Sequence, residues 1–321
     1  MMQVSPNGRA TPGGRPPWSW DGVLRGVVPP LITPLTEAGE VDGGALGALV
    51  EYVLEAGCGG LFVLGGCGAG PWLTAEDGGA AVRAAVRAAA GRVPVLAGVM
   101  LPATRPALAA ARQAADEGAD AVVVGTPYYF EVDDAAQRRH VGAILGAVPL
   151  PALLYNIPQC THRRLTPETV ADLAAEPRIL GVKDSAGEFP AFLDFVALKA
   201  QRPDFKVLQG SEPLMAPSLQ HGGDGLIPGL ANVAPGLFVA LRRAAEGGDP
   251  EDCRRLQARI RALKTIETGG WLGALHEACG RLGFGAGRPP APFAPATAAQ
   301  RAAIGAAVRD LDLRPSGRVR G

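Results

Sequence analysis

Only four of the 31 basic residues in this 321-residue chain are lysines, and one of them, Lys183, stands inside the apolar run ILGVKDSAG. An ammonium buried among apolar side chains is costly, so burial there lowers the lysine pKa. A lysine that has lost its proton is a nucleophile that forms an imine with a carbonyl compound. The competing reading is an ion pair with Asp184 or Glu188. Strand alternation argues against Asp184, which points away from Lys183. The other lysines offer less: Lys206 opens its run, and Lys199 and Lys264 fall on helical stretches whose solvated faces account for them.

Tyrosine is equally scarce, and Tyr155 ends the run PALLYNIP just before the lysine run. A phenol can pass protons to and from an imine or carbinolamine; otherwise it is a core tyrosine with its hydroxyl on a carbonyl. A third feature is the glycine-rich segment VLGGCGAGP, residues 63–71. It does not fit GxGxxG and no GK[ST] follows, which argues against a phosphate loop. A tight turn needs only one or two glycines. The remaining reading is a nest of backbone N–H groups for a carboxylate, because glycine lets the main chain approach a ligand closely.

These residues need a scaffold, and the chain supplies a repeating one. Runs rich in Val, Ile and Leu recur at 26–33, 59–65, 93–99, 119–127, 151–158, 179–187, 205–212 and 223–230. They are nearly continuous in apolar character, the mark of parallel strands covered on both faces. Between them lie Ala/Leu/Arg-rich stretches with start signals: Asp42, Thr74, Thr104, Asp133 and Thr166 stand as N-caps, and Pro106 and Pro167 suit first turns. Gly57, Gly91 and Gly118 stand at C-terminal ends. Eight such units predict an α/β fold, a TIM (β/α)8 barrel over 21–248. Residues 249–313 read as two or three further helices, with flexible tails at 1–20 and 314–321. In such a barrel the chemistry sits at the C-terminal ends of the strands, which selects Tyr155, Lys183, the 65–70 loop, Gly210–Glu212 and Ile227–Gly229.

Composition narrows the function. Apolar residues make up 47% of the chain and the formal net charge is zero, which fits a globular protein and gives no sign of nucleic acid or an anionic membrane as partner. No run of eighteen apolar residues occurs. Five scattered cysteines form no CxxC pair, and the N-terminal segment lacks an apolar signal core, so a reduced, cytoplasmic setting is expected. The four histidines show no metal-ligand spacing, and no metal site is proposed.

The segments GVVPPLITPL, TPYY, YNIP, GVKDSAG and GLANVAP, in this order, resemble the dihydrodipicolinate synthase / N-acetylneuraminate lyase superfamily over about residues 24–310. The resemblance implies a TIM barrel with a C-terminal helical extension, a homo-oligomer (dimer or tetramer), and class I aldolase chemistry on pyruvate or another 2-keto acid, without a separate cofactor. It implies Lys183 as the Schiff-base lysine and Tyr155 as the proton-transfer tyrosine. Tyr129 matches a tyrosine that such enzymes lend across a dimer interface. Gly65, Gly66, Cys67 and Gly68 match the loop that holds the keto-acid carboxylate, usually G-[ST]-T-G-E, but both hydroxyl positions are lost here. Gly210, Ser211, Glu212 and Ile227 match the segments that meet the rest of the substrate. Cys160 stands where lysine-pathway synthases carry an arginine, which argues against that activity. One acid, Glu212, and Gly229 replace the acidic pair and serine of sialic acid lyases. A sugar-acid aldolase or lyase is expected by elimination. The alternatives are a catalytically impaired keto-acid-binding barrel, or a 4-hydroxy-tetrahydrodipicolinate synthase with an atypical site.

Overall fold

The computed structural model describes residues 16–267 and 270–310. Residues 1–15 of the expected 1–20 tail, the expected tail at 314–321, and the last residues of the expected helical region, 311–313, lie outside the described residues. The end of the first tail is not a tail, because Ser19 caps a helix that starts at Trp20.

Seven parallel strands form one sheet in chain order: β1 (Leu61–Val63), β2 (Val95–Gly98), β3 (Ala121–Gly125), β4 (Ala152–Asn156), β5 (Ile179–Asp184), β6 (Lys206–Gln209) and β7 (Gly225–Leu226). Each is shorter than its apolar run, because the C-terminal residues of each run leave the ladder and become loops. The first run, 26–33, is not a regular strand. Pro29 and Pro30 have no N–H to give to a ladder, so the segment pairs only through isolated bridges. These are Val27 to Leu226 and Pro30 to Phe62. Val28 N donates to Leu226 O (2.9 Å) and Leu31 N to Phe62 O (2.8 Å). The segment therefore touches both edge strands and joins β7 to β1. Buried Asn232 fixes it from outside, accepting from Ile32 N (2.9 Å) and donating to Pro30 O (2.8 Å).

Helices α1 (Trp20–Leu24), α2 (Gly43–Glu55), α3 (Ala75–Ala89), α4 (Thr104–Asp116), α5 (Asp134–Ala147), α6 (Pro158–Thr161), α7 (Pro167–Ala174), α8 (Phe189–Ala197), α9 (Met215–Gln220) and α10 (Pro235–Glu246) alternate with the strands. The side chains of Asp42, Thr74, Asp133 and Thr166 cap their helices as expected. Thr104 does not: it is already helical, after Ala103, and its hydroxyl pairs with His140 Nδ1 (2.9 Å). Three more helices follow: α11 (Pro250–Leu263), α12 (Trp271–Arg281) and α13 (Ala298–Asp310). Helix α11 buries Cys253, Leu256, Ile260 and Leu263, a stripe at helical spacing.

Strand side chains divide by parity. Phe62, Leu96, Ala121, Val123, Leu153, Tyr155, Leu208 and Ile227 form one buried cluster with Val23, Leu24 and Val28. Their neighbours Leu61, Val63, Ala97, Val122, Val124, Leu154, Val182 and Val207 pack in a second cluster with the helices. Two buried faces explain why the runs lack alternation.

One irregularity matters for chemistry. Ala152 pairs with Ile179, but Leu153 pairs with Gly181, so Leu180 is an extra residue in β5. A one-residue slip exchanges the faces of everything beyond it. Because of it, Lys183 stands beside Tyr155 in register and takes the Tyr155 side of the sheet. Gly181 permits the bulge, since a Cβ there would lie 2.0 Å from Lys206 O.

Candidate active site

Lys183 is buried, with 3% of its surface exposed, and no ion pair holds it among the described residues. Its Nζ lies 4.1 Å from the centroid of the Tyr155 ring and 5.1 Å from that of Phe62. The two rings meet edge-to-face at 6.3 Å. Burial is the main cause that lowers the lysine pKa from 10.5 to about 8; the nearby Cys67, Glu212 and Cys160 oppose it only partly. The amine is thus far easier to deprotonate than a surface lysine. Asp184 faces away as expected: its Oδ1 accepts from Asn156 Nδ2 (2.7 Å), and burial raises its pKa. Burial also drives the Tyr155 pKa upward, opposed in part by nearby Ser185, so the phenol stays protonated as a proton donor.

The glycine-rich loop follows β1. Leu64 and Ala69 adopt left-handed backbone (φ 58° and 50°). The chain folds so tightly that a Cβ at Gly68 would come within 2.9 Å of Leu31 O, and one at Gly70 within 2.2 Å of Leu64 O. Glycine is required here by close backbone approach. Thr33 Oγ1 donates to Gly68 O (2.7 Å), and Gly70 N donates to Gly65 O (3.2 Å). The N–H groups of Gly65, Gly66 and Gly68 have no acceptor among the described residues. Trp271, at the start of α12, lies over Gly66, and His276 is buried on the same helix. Burial holds His276 neutral, with its pKa pulled down to about 4. Burial likewise pushes the Cys67 thiol up to about 12.

Behind the lysine, a Cβ at Gly210 would stand 2.1 Å from Ser185 Oγ and 2.8 Å from Lys183 Cε. Ser211 N donates to Gln209 Oε1 (2.7 Å), which sets the turn after β6. Glu212 is buried and accepts from Gly229 N (3.0 Å). Cys67 Sγ and Glu212 Oε1 would lie 3.1 and 3.5 Å from a Cβ at Gly229, so the glycine loop and the β6 and β7 loops converge there. Ile227 is buried in the Tyr155 cluster, and its N–H donates to Gln209 O (2.9 Å).

Lys183, Tyr155, Cys67, Gly210, Glu212 and Ile227 therefore come together, as the strand-end argument requires. Tyr129 does not join them within one chain. It is 81% exposed, has φ 82°, and packs edge-on against exposed Phe130.

Two expectations about the other lysines need correction. Lys264 does not lie on a solvated face: its Nζ pairs with Glu212 Oε2 (3.3 Å) and Glu267 Oε2 (2.6 Å). Burial works against its charge, yet the two carboxylates outweigh burial and raise its pKa. Lys199 likewise pairs with buried Asp224 (2.9 Å). Sequence reasoning also missed Ser185, although it stands two residues after Lys183 and so shares its face.

The sequence pattern of the dihydrodipicolinate synthetase family matches residues 23–311. The chain is 37% identical to an uncharacterised DapA-like lyase of Halobacterium salinarum, over 90% of this chain and 95% of that one. It is 39% identical to the 4-hydroxy-tetrahydrodipicolinate synthase of Hyphomonas neptunium, over 74% of this chain and 81% of that one. Among solved structures it resembles YagE, a prophage protein of E. coli K12 solved in complex with pyruvate. There the TM-score is 0.86 and the identity 30%, over 90% of this chain and 99% of that one. The chain belongs to the dihydrodipicolinate synthetase family, whose members are lyases.

Proposed function

We propose that the protein is a Schiff-base-forming aldolase or lyase that acts on pyruvate or a 2-keto(-3-deoxy) acid. The observation that carries this reading is Lys183: a buried amine with its pKa lowered to about 8, unpaired and against the Tyr155 ring. The amine attacks the ketone carbon, and Tyr155 supplies and recovers the proton. The resulting imine draws electrons from the neighbouring carbon, so a carbon–carbon bond there can break or form without a separate cofactor. The unpaired amides of Gly65, Gly66 and Gly68 bind the substrate carboxylate. Gly210, Ser211, Glu212 and Ile227 line the side where the rest of the substrate extends.

The sheet, joined through residues 26–31, is read as a (β/α)8 barrel over 21–248, with 249–313 as its C-terminal helices. The exposed Tyr129–Phe130 pair is where a second copy would add Tyr129 to the site of its neighbour, giving a dimer or tetramer. Five free cysteines support a cytoplasmic setting, and among the described residues no helix is long and apolar enough to cross a membrane. Cys160 in place of an arginine favours a substrate other than that of the lysine-pathway synthase.

Borohydride reduction with pyruvate, followed by intact mass, tests the reading. A reduced pyruvyl adduct is expected on the wild type and not on Lys183→Ala. No adduct on the wild type, or an adduct that persists in the variant, refutes it. The missing hydroxyls at Gly66 and Cys67 favour a second reading, a keto-acid-binding barrel with impaired turnover. An adduct without cleavage of any 2-keto-3-deoxy acid would support that one.

A further inference from the structure

The loop that should present a hydroxyl to Tyr155 has none: residue 66 is a glycine, and residue 67 carries a buried thiol. A thiol is a weak donor, and burial keeps this one protonated. A phenol moving protons in a closed site needs a hydrogen-bonding partner that can pass a proton on. The strand that carries the nucleophile supplies one. Ser185 follows Lys183 by two residues and stands directly after Asp184, the last residue of β5. Its N–H continues the pairing to Asn156 O, so its side chain takes the Lys183 face. Lys183 Nζ lies 4.1 Å from the centroid of the Tyr155 ring, and Ser185 stands beside that lysine, close enough to Tyr155 to lower its pKa. Both Ser185 Oγ and Lys183 Cε press on the bare Cα of Gly210, where a Cβ would meet them at 2.1 and 2.8 Å. Ser185 is held on both sides by its backbone: its N–H donates to Asn156 O (2.9 Å) and its C=O accepts from Gln159 Nε2 (2.7 Å).

We propose that Ser185 is the relay partner of Tyr155, replacing from β5 the hydroxyl that the glycine loop no longer carries. This rests on the imine-forming reading of the site. In the step concerned, the Lys183 nitrogen bonds to the ketone carbon and the carbonyl π pair moves to oxygen. That oxygen takes the Tyr155 proton, Tyr155 takes the Ser185 proton, and Ser185 takes the proton released by nitrogen. Both hydroxyls are restored, and the product is a neutral carbinolamine. Gly210 belongs to the same device, because any side chain there would displace the serine and the lysine together.

The rate of borohydride-trappable adduct formation with pyruvate, measured across pH, tests the relay. Ser185→Ala is expected to slow adduct formation about 100-fold, the lower range for losing a proton-transfer group, with pyruvate affinity little changed. Ser185→Thr keeps the hydroxyl and should recover most of the rate. Cys67→Ser should partly rescue Ser185→Ala, because the Cys67 side chain already points into the site, with its Sγ 3.1 Å from where a Cβ at Gly229 would stand. Equal rates for wild type and Ser185→Ala would overturn the relay alone, as would a Thr variant as slow as the Ala variant despite a native melting profile. A wild type that traps nothing overturns the imine reading and the relay with it.

Discussion

If Lys183 is held buried and unpaired for chemistry, the fold must be less stable for it. Replacing it with a neutral side chain of similar length should then stabilise the protein while abolishing adduct formation. The lysine pKa falls from 10.5 to about 8 on folding. At about 1.4 kcal/mol per pH unit, that difference is worth about 3 kcal/mol. The sign follows from proton counting. Between pH 8 and 10.5 the unfolded chain holds the proton and the folded one does not, so folding releases it. The cost is therefore absent above about pH 10.5, grows as pH falls, and is complete below about pH 8. Lys183→Met should thus be more stable than wild type by about 3 kcal/mol near pH 7, and by about half of that or less near pH 9.5. Urea denaturation of both proteins at the two pH values reads the difference from the midpoints. A variant no more stable than wild type near neutral pH, or a gain that does not shrink as pH rises, would refute the reasoning.

Three other outcomes are expected. The wild-type rate of pyruvate adduct formation should rise with pH along a limb centred near 8, where the buried amine loses its proton; a limb near the ordinary lysine value would contradict the burial argument. Gly210→Ala should fold with a native circular dichroism spectrum yet lose at least about tenfold in adduct formation, because its Cβ meets Lys183 Cε at 2.8 Å. Gly181→Ala places a Cβ 2.0 Å from the Lys206 carbonyl oxygen; it should cost about 1–3 kcal/mol or more in a denaturant titration and also lower the adduct rate, since the bulge that orients Lys183 depends on that glycine.

Much of this site was legible because rarity and position coincided. With so few lysines and tyrosines, one of each at neighbouring strand ends leaves little room for a structural explanation, and the parallel-strand pattern says which end carries chemistry. The first apolar run misled for a local reason: Pro29 and Pro30 give it apolar character but deny it a ladder, so it bridges two strands without becoming one. Lys264 misled for a tertiary reason. Its helical context reads as a solvated face, and only the fold brings Glu212, from more than fifty residues earlier, against it. The bulge at Leu180 left a trace, a glycine inside a strand run. Its effect on which face Lys183 takes depends on the partner strand, which sequence pattern does not register.

The glycine loop and the serine are connected parts of one arrangement. A loop that hugs Leu31 and Leu64 this closely leaves no room for side chains at 68 and 70, but Gly66 has ordinary space beside Trp271. Sterics therefore do not forbid a hydroxyl at 66. In the proposed mechanism its absence leaves the loop one task, presenting amides, with Trp271 of α12 against Gly66. In that mechanism proton transfer falls to Tyr155 on β4 and Lys183 on β5, which are adjacent in register, with Ser185 directly after β5. Separating the two tasks places carboxylate binding and proton movement on different elements, so substitutions in the loop should act on substrate affinity and substitutions at Ser185 on rate.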